Sequence, residues 1–191
     1  MVPASNPGVK LLERPSVALV VIDLQVNLVP AIFEAARVVR NCQLLLRLGR
    51  TLKLPTLLTT QYAKGLGNLI PEVASAAPGL EPLDKTSFGC FGERDFQRSL
   101  TLVAPHANTL LVAGIESHIC VTQTVLGALE AGYLVHVAAD ATSSRTAENW
   151  EIGLNRMERA GAILSSTEMM VYELLGRSDT PEFKAMLPLL K

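Results

Sequence analysis

Between residues 16 and 166 the chain alternates short, unbroken apolar runs with longer stretches whose apolar residues recur at helical spacing. SVALVVID (16–23) is apolar until its last residue, the pattern of a strand covered on both faces. Residues 31–50 carry Ile32, Ala35, Ala36 and Val39 on one stripe and end near Gly49, which predicts a helix. LPTLLTTQY (54–62) reads as a second strand. AKGLGNLIPEVASAAPGLEPLD (63–84), rich in Gly and Pro, reads as a loop. LDKTSF (83–88) predicts a short third strand and ERDFQRSL (93–100) a helix. ANTLLVAGI (107–115) is the clearest strand of all, and it runs into a helix over 117–131. YLVHVAAD (133–140), a helix around 147–160, AILSS (162–166) and a helix from Thr167 continue the alternation. The tail TPEFKAMLPLL (180–190) predicts a last helical turn or two, docked on the body or on a neighbour.

This order predicts a parallel sheet wrapped by helices on both sides, with ligands gathering beyond the carboxyl ends of the strands. Three strand ends carry Asp23, Glu116 with Cys120 shortly after, and Asp140; Lys85 lies on the short third strand. No repeat or linker divides the 191 residues, so residues 1–15 read as an N-terminal extension before a single domain over 16–191. Apolar residues make up 49% and charged residues 18% of the chain, too little polar surface for the whole exterior. A subunit interface, and so a homo-oligomer, is expected. A formal net charge of −1 gives no electrostatic reason to bind nucleic acid or anionic lipid. Three cysteines without CxxC spacing point to a reducing compartment, the cytoplasm, with a short mitochondrial address left open. No apolar run is long enough to cross a bilayer, and MVPASNPGVKLLERPS lacks the form of a secretory signal.

The chemistry centres on GIESHICVTQTV (114–125), where a strand hands over to a helix. A cysteine alone in an apolar helical pattern is usually core. With Ser117 as N-cap, however, Cys120 falls at the third helical position, where the positive end of the dipole favours a thiolate. Asp23 is free to face the crevice, because Asn27 and Pro30 are nearer start signals for the following helix. An ammonium at Lys85 beside Asp23 and Cys120 would hold the carboxylate ionised and favour the thiolate. His118 stands two positions from Cys120, about 200° away around a helix, and cannot pair with it directly. His106 and His136 show no metal-ligand spacing, and KGLGN lacks the third glycine of a dinucleotide fingerprint. Cys90, in TSFGCFGE, is a rival thiol without a helix N-terminus.

An Asp ending strand one (VVIDLQ), a Lys on strand three (LDKTSF) and a Cys just after strand four (GIESHICVTQT) resemble the isochorismatase-like cysteine hydrolases. TQYAKGLGN and GIESHICVTQT are most similar to the branch named isochorismatase domain-containing proteins. The resemblance implies a three-layer α/β/α sandwich with a six-stranded parallel sheet in the order 3-2-1-4-5-6. It also implies a catalytic triad of Asp23, Lys85 and Cys120. A cis peptide at Ile115–Glu116 is implied as well, with the N–H groups of Glu116 and Cys120 forming an oxyanion hole. Family nicotinamidases carry an Asp-x-His metal motif after strand two. TQYAKGLGN has neither residue, so no metal and no other cofactor is expected, and nicotinamide is a poor substrate candidate. True isochorismatases lack the nucleophilic cysteine, which argues against vinyl-ether cleavage here. The implied activity is hydrolysis of a small amide-type C–N bond through a thioester. Gln25, Tyr62 and Phe88 are expected pocket residues by position. The alternative is a catalytically idle scaffold of the same fold that binds a metabolite or serves assembly.

Overall fold

Alternate residues of the first strand face opposite ways: Leu19 and Val21 enter one apolar cluster, Ala18, Val20 and Ile22 the other. That is why its sequence is apolar at every position rather than at every second one. The computed structural model describes residues 10–190. Within them, β1 (Val17–Ile22), β2 (Thr56–Gln61), β3 (Leu83–Lys85), β4 (Thr109–Ile115), β5 (Leu134–Ser143) and β6 (Ile163–Ser165) form one parallel sheet. Its order is β3-β2-β1-β4-β5-β6, the order the resemblance implied. β1 and β4, buried along their whole length, pair from Val17–Thr109 to Ile22–Gly114. The chain reverses its direction of winding between these two strands, which places a crevice at their carboxyl ends.

One face is covered by α1 (Ala35–Leu52), α3 (Pro71–Ala76), α7 (Thr167–Leu175) and α8 (Pro181–Met186), which supply Leu45, Val73, Leu174 and Met186 to the first cluster. The other is covered by α4 (Arg94–Val103), α5 (Thr122–Glu130) and α6 (Ala147–Arg159), which supply Phe96, Val125 and Met157 to the second. Thr146, Ser166 and Thr180 cap α6, α7 and α8, each accepting from the backbone N–H three residues on.

Several local expectations change. The stretch 63–84 is not a bare loop: it holds α2 (Ala63–Leu66) and α3, the latter started by Pro71 and pinned by buried Val73 and Ala76. Pro30 opens only a short 3₁₀ turn (Val29–Ala31), and α1 begins at Ala35 after Glu34, whose φ is 50°. Asn27 caps no helix; its amide donates to the carbonyl of Gly65 at 3.4 Å. The tail docks on the body, where Met186 is buried and its sulfur accepts from the Thr51 hydroxyl at 3.6 Å. Residues 1–9 of the expected N-terminal extension lie outside the described residues. The rest of it packs: Leu12 is buried, and the Arg14 guanidinium donates to the carbonyls of Leu174 and Leu175 at the end of α7. Among the described residues no helix is long and apolar enough to cross a membrane.

Candidate active site

Asp23 follows the last residue of β1 and takes a φ of 54°, which ends the strand and turns the chain into the crevice. β4 passes alongside at Gly114 (φ 113°), where a Cβ would stand 2.1 Å from the carbonyl oxygen of Ile22. Only glycine fits there. Lys85 closes β3, two strands away, in register with Gln61 of β2. Its Nζ reaches across β2 to the Asp23 carboxylate at 2.7 Å. The remaining ammonium hydrogens go to the Gln61 side-chain oxygen at 2.7 Å and the Phe88 carbonyl at 3.0 Å. The second oxygen of Asp23 accepts from the Thr59 hydroxyl at 2.7 Å. Both side chains are buried, with accessibilities of 2% and 0%. A charge pair so far from water persists because the lysine's donors and both carboxylate oxygens are engaged.

Cys120 arrives from the other side. Residues Ser117–Val121 form a single π-helical turn ahead of α5, with the Val121 N–H donating to the Glu116 carbonyl five residues back. One extra residue in a helical turn re-aims a side chain without breaking the helix. Ser117 does not cap: its hydroxyl is buried and has no hydrogen-bond partner among the described residues. The Thr122 and Thr124 hydroxyls instead donate to the carbonyls of Ser117 (2.5 Å) and Cys120 (2.7 Å). The Ile115–Glu116 peptide is cis. Gly153 of α6 lets that helix press on this turn, since a Cβ there would lie 2.9 Å from the His118 nitrogen.

Cys120 is buried, with 7% of the residue accessible. Its protonation differs from the expectation. Burial pushes the Cys120 thiol up to about 12, the nearby Asp23 carboxylate adds to the rise, and Lys85 opposes it. The lysine's charge is already met by Asp23, so what faces the sulfur is an ion pair rather than a free cation. Cys120 is therefore held as a thiol rather than as the thiolate its helix position suggested.

A second ion pair sits at the rim. The Glu116 carboxylate is gripped by Arg145, through Nη2 at 2.6 Å, Nε at 3.1 Å and the backbone N–H at 2.9 Å. Burial alone would raise this carboxyl, but the guanidinium and the backbone donor outweigh it and hold it below the usual range. The neighbouring Ser144 hydroxyl meets His118 Nδ1 at 2.9 Å, and its carbonyl accepts from the Phe33 N–H. His118 therefore faces the β5–α6 loop, in keeping with its angular separation from Cys120.

The expected pocket residues divide. Tyr62 and Phe88 are exposed, on either side of the segment that holds Lys85. Gln25 is fully buried, and its amide is spent on backbone: it donates to the carbonyls of Gln61 and Gly67 and accepts from the Gln61 N–H. It fixes the crevice wall and has no donor left for a substrate. Thr59, Gln61, Ser144 and Arg145 were not singled out in the sequence. The first two occupy alternate positions of β2, which is the one signal that could have paired them with Asp23 and Lys85. Among the described residues no three His, Cys, Asp or Glu side chains gather as metal ligands.

The profile of the isochorismatase domain matches residues 17–169, which hold all six strands and the helices from α1 through α6. The chain belongs to the isochorismatase family. Within this family it is 37% identical to isochorismatase domain-containing protein 2 of Danio rerio over 183 residues, spanning 96% of this chain and 91% of the relative. Among solved structures it resembles the MAR1 ribonuclease of Caenorhabditis elegans, with a TM-score of 0.87 and 34% identity over 95% of this chain and 92% of that one. It also resembles YcaC of Pseudomonas aeruginosa, with a TM-score of 0.86 and 27% identity over 94% and 91% of the two chains. That YcaC structure contains hexane-2,5-diol and covalent acrylamide. The family and these neighbours support a hydrolase.

Proposed function

We propose that the protein is a metal-independent cysteine hydrolase that cleaves a small amide-type C–N bond through a thioester on Cys120. The observation that carries this reading is the meeting, at one carboxylate, of a cation and a sulfur from distant strand ends. Asp23 holds Lys85 at 2.7 Å, and the charges of this pair act on the Cys120 thiol. In the first step Asp23 accepts the thiol proton as the sulfur attacks the carbonyl carbon. Lys85 keeps its hydrogen bonds throughout and stabilises the charge that moves between sulfur and carboxylate. The carbonyl oxygen, now negative, is met by the N–H groups of Glu116 and Cys120; losing one such donor typically costs about 3–4 kcal/mol in the barrier. The C–N bond then breaks, and Asp23 delivers its proton to the departing amine. Water attacks the thioester with Asp23 again as base, the C–S bond breaks, and the acid leaves as the thiol is restored.

Tyr62 and Phe88 flank the entry and would contact the acyl group. Exposed Leu102, Val103 and Leu134 supply apolar surface for the homo-oligomer that the composition leads us to expect. The name of the nematode neighbour raises a ribonuclease reading. Against it, the cation at this site is already saturated by protein acceptors, and a polyanion would find a chain of formal charge −1.

The test is ammonia release over a panel of small amides, alongside cleavage of labelled RNA, with the wild type and Cys120→Ser in parallel. Release from the best amide should fall by about 10³-fold or more in the variant. Hydroxylamine should trap an acyl group on Cys120. Equal release from both proteins refutes the amidase reading. Sulfur-dependent RNA cleavage without ammonia replaces it by the ribonuclease, and no turnover at all leaves the idle scaffold.

A further inference from the structure

Three thiols lie in this chain, and the hydrolytic cycle uses one. Cys42 is sealed in the cluster on the α1 face, its sulfur against the carbonyl of Ala141 at 3.3 Å, with the sheet between it and the nucleophile. Cys90 is different. It belongs to the same apolar cluster as Cys120, on the α5 face, and one hydroxyl joins the two backbones. The Cys90 N–H donates to Thr124 Oγ1 at 3.0 Å, and that hydroxyl donates to the Cys120 carbonyl at 2.7 Å. Gly89 makes the approach possible: a Cβ there would stand 3.0 Å from the Cβ and 3.1 Å from the backbone carbonyl of Gln123. The segment 89–90 thus lies directly on the first turn of α5. The two thiols also share electrostatic neighbours, since Asp23 and Lys85 act on both. The Thr59 and Thr124 hydroxyls lower the Cys90 thiol against its burial, and Thr59 donates to Asp23 at 2.7 Å. Both thiols therefore lie within the field of one buried ion pair, and Thr59 stands on its carboxylate.

A second thiol so placed adds nothing to acyl transfer. Burial pushes it up to about 11, and it has no accessible surface from which to meet a substrate. What it can meet is an oxidised neighbour. We propose that Cys90 is the resolving partner of Cys120: hydrogen peroxide oxidises Cys120 to a sulfenic acid, which Cys90 captures as an intramolecular disulfide. In the first step Asp23 takes the thiol proton, the sulfur attacks one peroxide oxygen and the O–O bond breaks. Sulfur is oxidised by two electrons, one oxygen stays on it, and the other leaves as hydroxide and takes up the proton to become water. In the second step the Cys90 sulfur attacks the sulfenic sulfur, the S–O bond breaks and the S–S bond forms. The hydroxyl leaves as water with the Cys90 proton, relayed by Thr59 and Asp23. Dithiothreitol reverses the state. The consequence is a nucleophile parked out of reach of the irreversible sulfinic and sulfonic acids.

The experiment treats the full chain with a slight excess of hydrogen peroxide and follows it by intact mass and peptide mapping. Wild type should lose two hydrogens with little oxygen gain, give a linked Cys90–Cys120 peptide, and return to starting mass with dithiothreitol. Cys90→Ser, with Cys90→Ala as a second variant for folding, should give no linked peptide and accumulate sulfinic Cys120 at least about fivefold faster. Oxygen adducts rising at the same rate in wild type and variants would overturn the proposal. So would a disulfide from Cys120 to Cys42 or to a second chain. The proposal takes from the proposed function only the reactivity of Cys120, and its readout is mass, so failure of ammonia release leaves it standing.

Discussion

Two acid–cation pairs stand at the carboxyl ends of the strands, and they are built in opposite ways. Asp23–Lys85 lies at the bottom with side-chain accessibilities of 0% and 2%; Glu116–Arg145 lies at the rim, its arginine 59% exposed. The lower pair is short of water on every side, so each hydrogen bond to it decides whether the charges survive, and a proton moved onto Asp23 is felt at once by the sulfur. The upper pair is screened, and its value is geometric: it fixes the Glu116 side chain at the turn that leads to Cys120. One pair is suited to chemistry and the other to shape.

The comparison breaks most readily at the bottom. Lys85→Met should cost about 3–5 kcal/mol in denaturant unfolding, because it strands a buried carboxylate, and should abolish turnover. Replacing both members, as Asp23→Leu with Lys85→Met, should recover much of that stability and none of the activity; a double variant as unstable as the single would show that the pair is structural glue. Iodoacetamide labelling of Cys120 comes next. With its thiol raised to about 12, the rate should climb about tenfold per pH unit from pH 7 to 10 without levelling. A plateau below pH 9 would mean that a thiolate already exists at rest.

Sequence reading located Asp23 because it ends an unbroken apolar run; Lys85, on the short and mixed strand LDK, was tied to it by the family resemblance. The fold was legible for the same reason: β1 and β4 are buried on both faces, so every residue reports it. What stayed hidden depends on contacts rather than on periodicity. A π-turn over 117–121 adds one residue to a helical pattern and leaves its apolar spacing intact. α2 and α3 are too short, and too rich in Gly and Pro at their borders, for a periodic signal. Gln25 looked like a pocket residue until its amide proved to be bonded to β2 and Gly67. Glu116 and Arg145 are 29 residues apart, with nothing local to pair them. The thiol's proton affinity was misread because helix position was visible and burial was not.

At the rim the effects should be smaller. Arg145→Ala should cost about 1 kcal/mol of stability, since water replaces the guanidinium on its open side, and about tenfold in turnover through a displaced Glu116. Arg145→Lys should restore most of the stability but little of the rate; full restoration of both would reduce the pair to charge neutralisation. Glu93 offers the mildest test. It accepts from the N–H groups of Thr86 and Ser87, holding the turn between Lys85 and Phe88, and these donors lower its carboxyl to about 2 from an ordinary 4.5. Its folded value lies below its unfolded one. The stabilisation is therefore complete above about pH 4.5 and lost as pH falls toward 2. Thermal melts of Glu93→Gln should show a shallower decline over that interval than wild type; parallel curves would exclude the turn as a titrating anchor.

Tyr62 and Phe88 stand in water and can be exchanged freely by anyone seeking a new selectivity. Position 114 permits no such freedom. Even a methyl group there collides with Ile22, the residue that delivers Asp23, so a random library over this scaffold should yield varied appetites at the mouth and only insoluble protein at the seam.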